Sequence, residues 1–385
     1  MKQLQSKLLM IFTLGGLFHS ALGSFAQAAI DPAADIAYLR KDCREEGVRI
    51  ANCVTNASAV MKWLSAKQPT VNSPATVEIG PGQFSPGFSC TGVSNFSLKG
   101  SGRGKTILGG GFGQVAFQAR DCFNLHIQDL TITGGFPAPI YWLGGGSSTW
   151  VDVEILGGIY GWTETDCAGL TQRPVHHWFS STIKSNLKVA YNASCSENWF
   201  YGTEFITTGP GFTGGIRGIT AHKTTDGLSP EVHVYGSVIR VIPDPGITFA
   251  APSGAGDATG IVAVSAGRDA EVHIHGTGID VIGNDIPNDV AALAVADGGI
   301  IHATQSAFVM KTPSQGKIYR IKNDGGTVKA PYLWEDEVLL KNLVSDDGAD
   351  RTTEIVGGLP HPLVYTSVCT VNGPWFDTVT GQCRQ

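Results

Sequence analysis

From residue 75 onward the chain alternates. Apolar and polar residues take turns over short runs at Ala75 to Ile79, Asn95 to Lys99, Asn124 to Ile132, Trp150 to Ile155 and Asn186 to Ala190, nearly all closed by Gly or Asn. A period of two predicts half-buried strands joined by turns. The only extended helical signal precedes them, in residues 31 to 66, where Val54, Ala57, Met61 and Leu64 recur three or four apart before Pro69 stops the pattern. No further amphipathic helix of normal length lies between the strands, which excludes a doubly wound sheet.

The strands also repeat. Residues 231–242 read EVHVYGSVIRVI, and forty residues later 271–282 read EVHIHGTGIDVI. The same frame fits HWFSSTI from His177, WFYGTEF from Trp199, HVYGSVI from His233, HIHGTGI from His273 and HATQSAF from His302, at offsets of 22, 34, 40 and 29. A fixed pattern at variable intervals means that one coil recurs while its loops differ in length. Such a coil buries its apolar positions only by stacking on its neighbours. Val234 should then lie over Ile274, with Ile183, Phe205, Ile239, Ile279 and Phe308 in line. Ser181, Thr203, Ser237, Thr277 and Ser306 should form a row of small hydroxyls. An all-β solenoid, a parallel β-helix, accounts for all three rows.

The anatomy expected is a signal peptide over 1–28, an N-terminal cap with a helix over 29–74, β-helical coils over 75–312, and a small disulfide-stapled C-terminal unit over 313–385. Lys2 and Lys7 lead into the apolar run Leu8 to Phe18, and Ala26-Gln27-Ala28 offers the small-x-small pattern a signal peptidase cuts after. That run is too short to span a bilayer. The expectation is a secreted or periplasmic protein with no membrane span.

The segments VEIGPGQF (77–84) and VSNFSLKGSGRGKTIL (93–108) resemble the opening coils of right-handed β-helix proteins of the pectin-lyase-like superfamily. The resemblance implies a right-handed parallel β-helix and a polysaccharide partner. Its catalytic signatures are another matter. The polygalacturonase series is missing its acidic pair and Gly-His-Gly, leaving Arg320-Ile321-Lys322 alone. The Gly-x-x-Asp-Phe-x-x-Gly coil of pectin methylesterases and the Asp-Pro-His of mannuronan epimerases are absent too.

Composition narrows the class. Glycine fills 50 of 385 positions, about twice the usual share, and charged residues fall to 16%. Loss of the first 28 residues would leave 25 basic against 33 acidic side chains, and that sign disfavours nucleic acid as a partner. The eight cysteines pair by local spacing as Cys43 with Cys53, Cys90 with Cys122, Cys167 with Cys195 and Cys369 with Cys383. A zinc site is the alternative for such a set, but no C-x-x-C occurs.

Candidate chemistry falls in three places. On the repeated strand, alternation turns His233, Tyr235, His273 and His275 outward, giving one stripe of His177, Trp199, His233, His273 and His302 and a second of Phe179, Tyr201, Tyr235, His275 and Thr304. Ring faces along a strip suit a saccharide, so Trp199, Tyr201, His233, Tyr235 and His273 are expected to bind substrate; an ordinary exterior ladder is the alternative. The same histidines with Glu271 could ligate a metal, though a convex strip converges poorly. No cofactor is called for, and calcium is not indicated. Upstream, His126, Gln128, Asp152, Glu154 and Lys188 occupy polar alternates of three strands. Residues 157 to 176 and 190 to 198 read as loops that gather Trp162, Glu164, Asp166, Arg173 and His176 beside Cys167 and Cys195. Asp152, Glu154, Asp166, Arg173 and His176 are the expected catalytic set and Trp162 an expected substrate contact. Two functions remain open: a carbohydrate-active enzyme, lyase or hydrolase, and a non-catalytic polysaccharide-binding or surface protein. A trimeric spike would need exposed apolar strips; oligomeric state is left open.

Overall fold

A computed structural model describes residues 29–85, 87–109, 115–210, 215–224, 227–245, 260–282 and 290–311, with further strands at 318–329, 334–338, 343–344, 352–354, 375–377 and 382–384. The proposed signal peptide and the partnership of Cys369 with Cys383 lie outside the described residues.

The chain is a parallel β-helix. Each coil lays down three strands, and each strand pairs in parallel with its counterpart one coil away, so three ladders run the length of the molecule. In one coil the order is Tyr160–Thr165, Val175–Phe179 and Thr182–Ser185; in the next it is Val189–Ala193, Glu197–Tyr201 and Glu204–Gly209. We call these the third, first and second ladders. In the first, His177, Trp199, His233, His273 and His302 are successive partners, and so are Phe179, Tyr201, Tyr235, His275 and Thr304. In the second, Ile183, Phe205, Ile239, Ile279 and Phe308 align. The five repeats therefore stack in the register their sequence implies, and Ile239 and Ile279 are fully buried neighbours in the core.

The corner between the first and second ladders explains the fourth and fifth positions of each repeat. Ser180, Gly202, Gly236, Gly276 and Gln305 all take left-handed backbone, with φ of 49° to 59°, which turns the chain sharply in a single residue. Glycine fills three of the five because it adopts that conformation without strain. The hydroxyl that follows locks the bend. Ser237 Oγ donates to Tyr235 O (2.9 Å) and accepts from Thr203 N one coil away (3.0 Å). Ser181 and Ser306 repeat both bonds, donating to Phe179 O and Thr304 O and accepting from Val153 N and Thr277 N. Ser237→Ala would strand the buried Thr203 N–H; chemical denaturation should show a loss of about 1–2 kcal/mol.

Aromatic rings fill the middle of the core in two columns. Trp142, Trp162 and Tyr191 stack along the third ladder, with centroids 5.6 Å apart at each step. Trp150, Trp178 and Phe200 stack along the first, and the columns meet edge to face, as at Trp162 and Trp178 (86°). That is the geometry favoured by the ring quadrupole.

Several expectations need correction. The helix is Ala57–Lys67, started by Asn56, whose side chain accepts from Ala59 N (2.8 Å). Before it come short strands, of which Ile36–Leu39 pairs with Ala75–Ile79, so the first ladder begins ahead of residue 75. The helical period truly starts only near Val54. At the other end, Ile318–Asp324, Thr327–Lys329 and Thr352–Glu354 continue the ladders past residue 312. Residues 157 to 176 and 190 to 198 are not simply loops, since Tyr160–Thr165 and Val189–Ala193 are strands of the third ladder. The disulfides Cys43–Cys53, Cys90–Cys122 and Cys167–Cys195 are formed as spacing suggested.

Candidate functional site

The outward face of the first ladder carries three parallel rows. Val175, Glu197, Glu231, Glu271 and Ile300 are partners in one register, the His/Trp row follows two residues on, and the Phe/Tyr row two residues beyond that. Alternation fixes this, because Phe200, Val234 and Ile274 between the rows point into the core. Thus Trp199-Phe200-Tyr201, apolar throughout, resolves with Phe200 inward.

Rings within each outer row stack like coins. Trp199 and His233 lie 3.8 Å apart at 7°, His233 and His273 4.7 Å at 8°, and His273 and His302 4.8 Å at 4°. Phe179, Tyr201 and Tyr235 stack at 5.2 and 5.4 Å. His233, expected from the sequence to face solvent, is in fact buried between Trp199 and His273, whereas the side chains of His273 and His302 remain 31% and 29% exposed. Both faces of Tyr201, His233 and His273 are therefore covered by neighbouring rings, while Tyr235 meets His275 at a tilt of 53°.

The carboxylates lace the middle row. Trp199 Nε1 donates to Glu197 Oε1 (2.7 Å). Glu231 Oε1 lies 2.9 Å from His233 Nε2 and 3.9 Å from His273 Nε2, and Glu271 Oε1 lies 2.9 Å from His273 Nε2 and 3.3 Å from His302 Nε2. Arg173 holds Glu231 through Oε2. Burial lowers the pKa of His233, with the neighbouring charge of His273 adding to the effect. Burial, then Tyr201 and Glu231, raises that of Tyr235. His275 Nδ1 contacts Thr304 Oγ1 at 2.7 Å.

The expected catalytic set does not assemble. Asp152 pairs with Arg103 (2.7 Å), Glu154 accepts from Thr131 Oγ1 (3.0 Å), Asp166 pairs with Arg120 (2.8 Å), and Arg173 binds Glu231. His176 is fully buried, bonded to Ser148 Oγ (2.7 Å) and packed edge-on against Trp142 and Trp162. No hydrogen bond or ion pair among the described residues joins any two of the five. Trp162 is fully buried in the core column, so it is not a groove residue. The upstream polar group is also internally engaged: His126 meets Gln128 (2.8 Å), Gln128 donates to Asp129, and Lys188 sits over the Tyr160 ring.

Glu164 is a structural acid of the same region. It is buried, and it accepts from Trp162 Nε1 (3.1 Å), Ser194 N (3.0 Å), Cys195 N (3.2 Å) and Ser196 Oγ. Satisfied by four donors beside the Cys167–Cys195 bridge, it fastens the turn between the third and first ladders. One coil away only Ser196 donates from its side chain; Ser194 and Cys195 donate through the backbone, which no residue pattern signals.

No protein-family model matches the sequence, and no curated protein matches it. Solved structures resemble the fold at low identity, among them the following three. A pectin methylesterase variant in complex with a hexasaccharide superposes with a TM-score of 0.39 and 9% identity, covering 81% of this chain and 92% of that one. A tailspike capsular polysaccharide depolymerase from an Acinetobacter baumannii bacteriophage gives 0.40 and 8%, covering 86% and 65%. The A-module of an Azotobacter vinelandii mannuronan C-5 epimerase gives 0.36 and 14%, covering 80% and 96%.

Proposed function

We propose that the chain is a secreted, polysaccharide-binding solenoid whose ligand lies lengthwise along the outward face of the first ladder. The observation that carries this is the register of polar rings, Trp199, His233, His273 and His302 in one row and Tyr201, Tyr235 and His275 in the next, flanked by a carboxylate on three successive coils. Coils repeat about every 4.8 Å. A one-dimensional array of donors and acceptors at that interval suits a linear polymer that offers hydroxyl groups at each unit. The outer row is the accessible part, since Phe179 and Tyr201 are exposed. Three formed disulfides accord with an oxidising compartment.

Binding is favoured over turnover because the acids and bases expected to react are each engaged with a different partner. Glycan-array or affinity-electrophoresis measurements test the reading. The double variant Tyr201→Ala/Tyr235→Ala should weaken binding roughly tenfold or more, as loss of central aromatic contacts does elsewhere. Unchanged binding by a correctly folded variant would move the ligand to another face.

A further inference from the structure

The geometry points to a site for one divalent transition-metal ion on Glu271, His273 and His302. This does not depend on the polysaccharide reading. One ligand atom from each of the three lies within 4.8 Å of the others. Glu271 Oε1 is 2.9 Å from His273 Nε2 and 3.3 Å from His302 Nε2. Tetrahedral coordination with metal–ligand bonds of about 2.0–2.1 Å puts ligand atoms about 3.3 Å apart. Two edges of the ligand triangle are therefore close to the required length already.

The third edge, between the ring nitrogens, must shorten. The two imidazoles are within 4° of parallel, so their lone pairs run side by side. Rotation of the two side chains would tip them together, closing the 4.8 Å gap between the stacked rings, with side chains 31% and 29% exposed. Three protein ligands on an open face would leave a fourth position for water or a ligand oxygen.

A second triad, Glu231, His233 and His273, competes for the same atom. His273 Nε2 has one lone pair, so only one triad can fill at a time. Glu231 is the weaker choice, because Arg173 occupies its other oxygen and its contact with His273 stretches to 3.9 Å. Two imidazoles and one carboxylate suit Zn²⁺, Co²⁺, Ni²⁺ or Cu²⁺; Ca²⁺ and Mg²⁺ favour oxygen-only shells.

The test uses the purified, tag-free protein, stripped with a chelator and titrated with Co²⁺ while its visible absorption is followed. One equivalent should bind, and Zn²⁺ should displace it. His273→Ala and His302→Ala should each weaken binding by more than about a hundredfold, above the roughly 10- to 100-fold that loss of an outer-sphere partner causes. His233→Ala should weaken binding far less than either, because His233 supplies no ligand atom to this triad and acts on it only by stacking on His273. Circular dichroism and thermal unfolding establish that each variant is folded. Absence of a Co²⁺ spectrum overturns the proposal, as does retention of binding in His273→Ala. Loss in His233→Ala with retention in His302→Ala assigns the ion to the other triad and overturns it equally.

Discussion

Trp162→Ala should lower stability by about 3–5 kcal/mol, the range for deleting a large aromatic from a close-packed core. The ring is fully buried between Trp142 and Tyr191 and meets Trp150 and Trp178 edge-on. Truncation would empty the crossing point of both aromatic columns and leave Glu164 without one of its donors. Trp199→Ala is the control. That ring stacks on His233 and Tyr235 outside the solenoid, where burial is partial, and its loss should cost less than half as much. Urea denaturation of the two variants decides the matter; equal midpoints would mean that Trp162 is not the core residue described above.

Acid should loosen the same region through His176. Burial, followed by the charge of adjacent His177, lowers its pKa to about 3 from the ordinary 6.5. Its surroundings are Ser148 Oγ, Trp142 and Trp162, and no carboxylate hydrogen-bonds to it. Between those values the unfolded chain binds a proton that the folded chain refuses. The stability contributed by neutral His176 is thus complete above about pH 6.5 and is lost as pH falls towards 3, at a slope approaching 1.4 kcal/mol per pH unit. Other groups titrate in that window, so the difference between wild type and His176→Gln isolates this residue. The variant's stability curve should be flatter between pH 6 and 4 by close to one proton; parallel curves would refute the assignment.

Trp162 and His176 also show where the sequence was and was not legible. The stacked repeats were readable to the residue, because first- and second-ladder strands bury one face and so alternate. The third ladder was not. Its strands, such as Ile261–Gly267 and Val290–Ala296, are buried along nearly their whole length and read as continuous apolar runs with no period to recognise. Tyr160–Thr165 and Val189–Ala193 mix rings with Thr and Asn, which disguised two buried strands as loops and turned Trp162 into an apparent surface aromatic. His176 fell on the inward side of Val175–Phe179, next to the outward His177, and only the strand's phase distinguishes them. The register of the outer rows is legible in the sequence, but the stacking between rings and the burial of His233 depend on side-chain rotation, which no residue pattern encodes.

The register has an evolutionary corollary. Glu197, Glu231 and Glu271 are interchangeable as pairing partners, and the turns that follow each strand share one conformation. A genetic duplication or excision of one complete coil would therefore leave the flanking coils with suitable surfaces to dock on, and the intervals of 22 to 40 residues show that inserts of different size are absorbed between strands. Growth by whole modules would lengthen the outward face without disturbing the register of its rows, so length and surface chemistry can be selected separately.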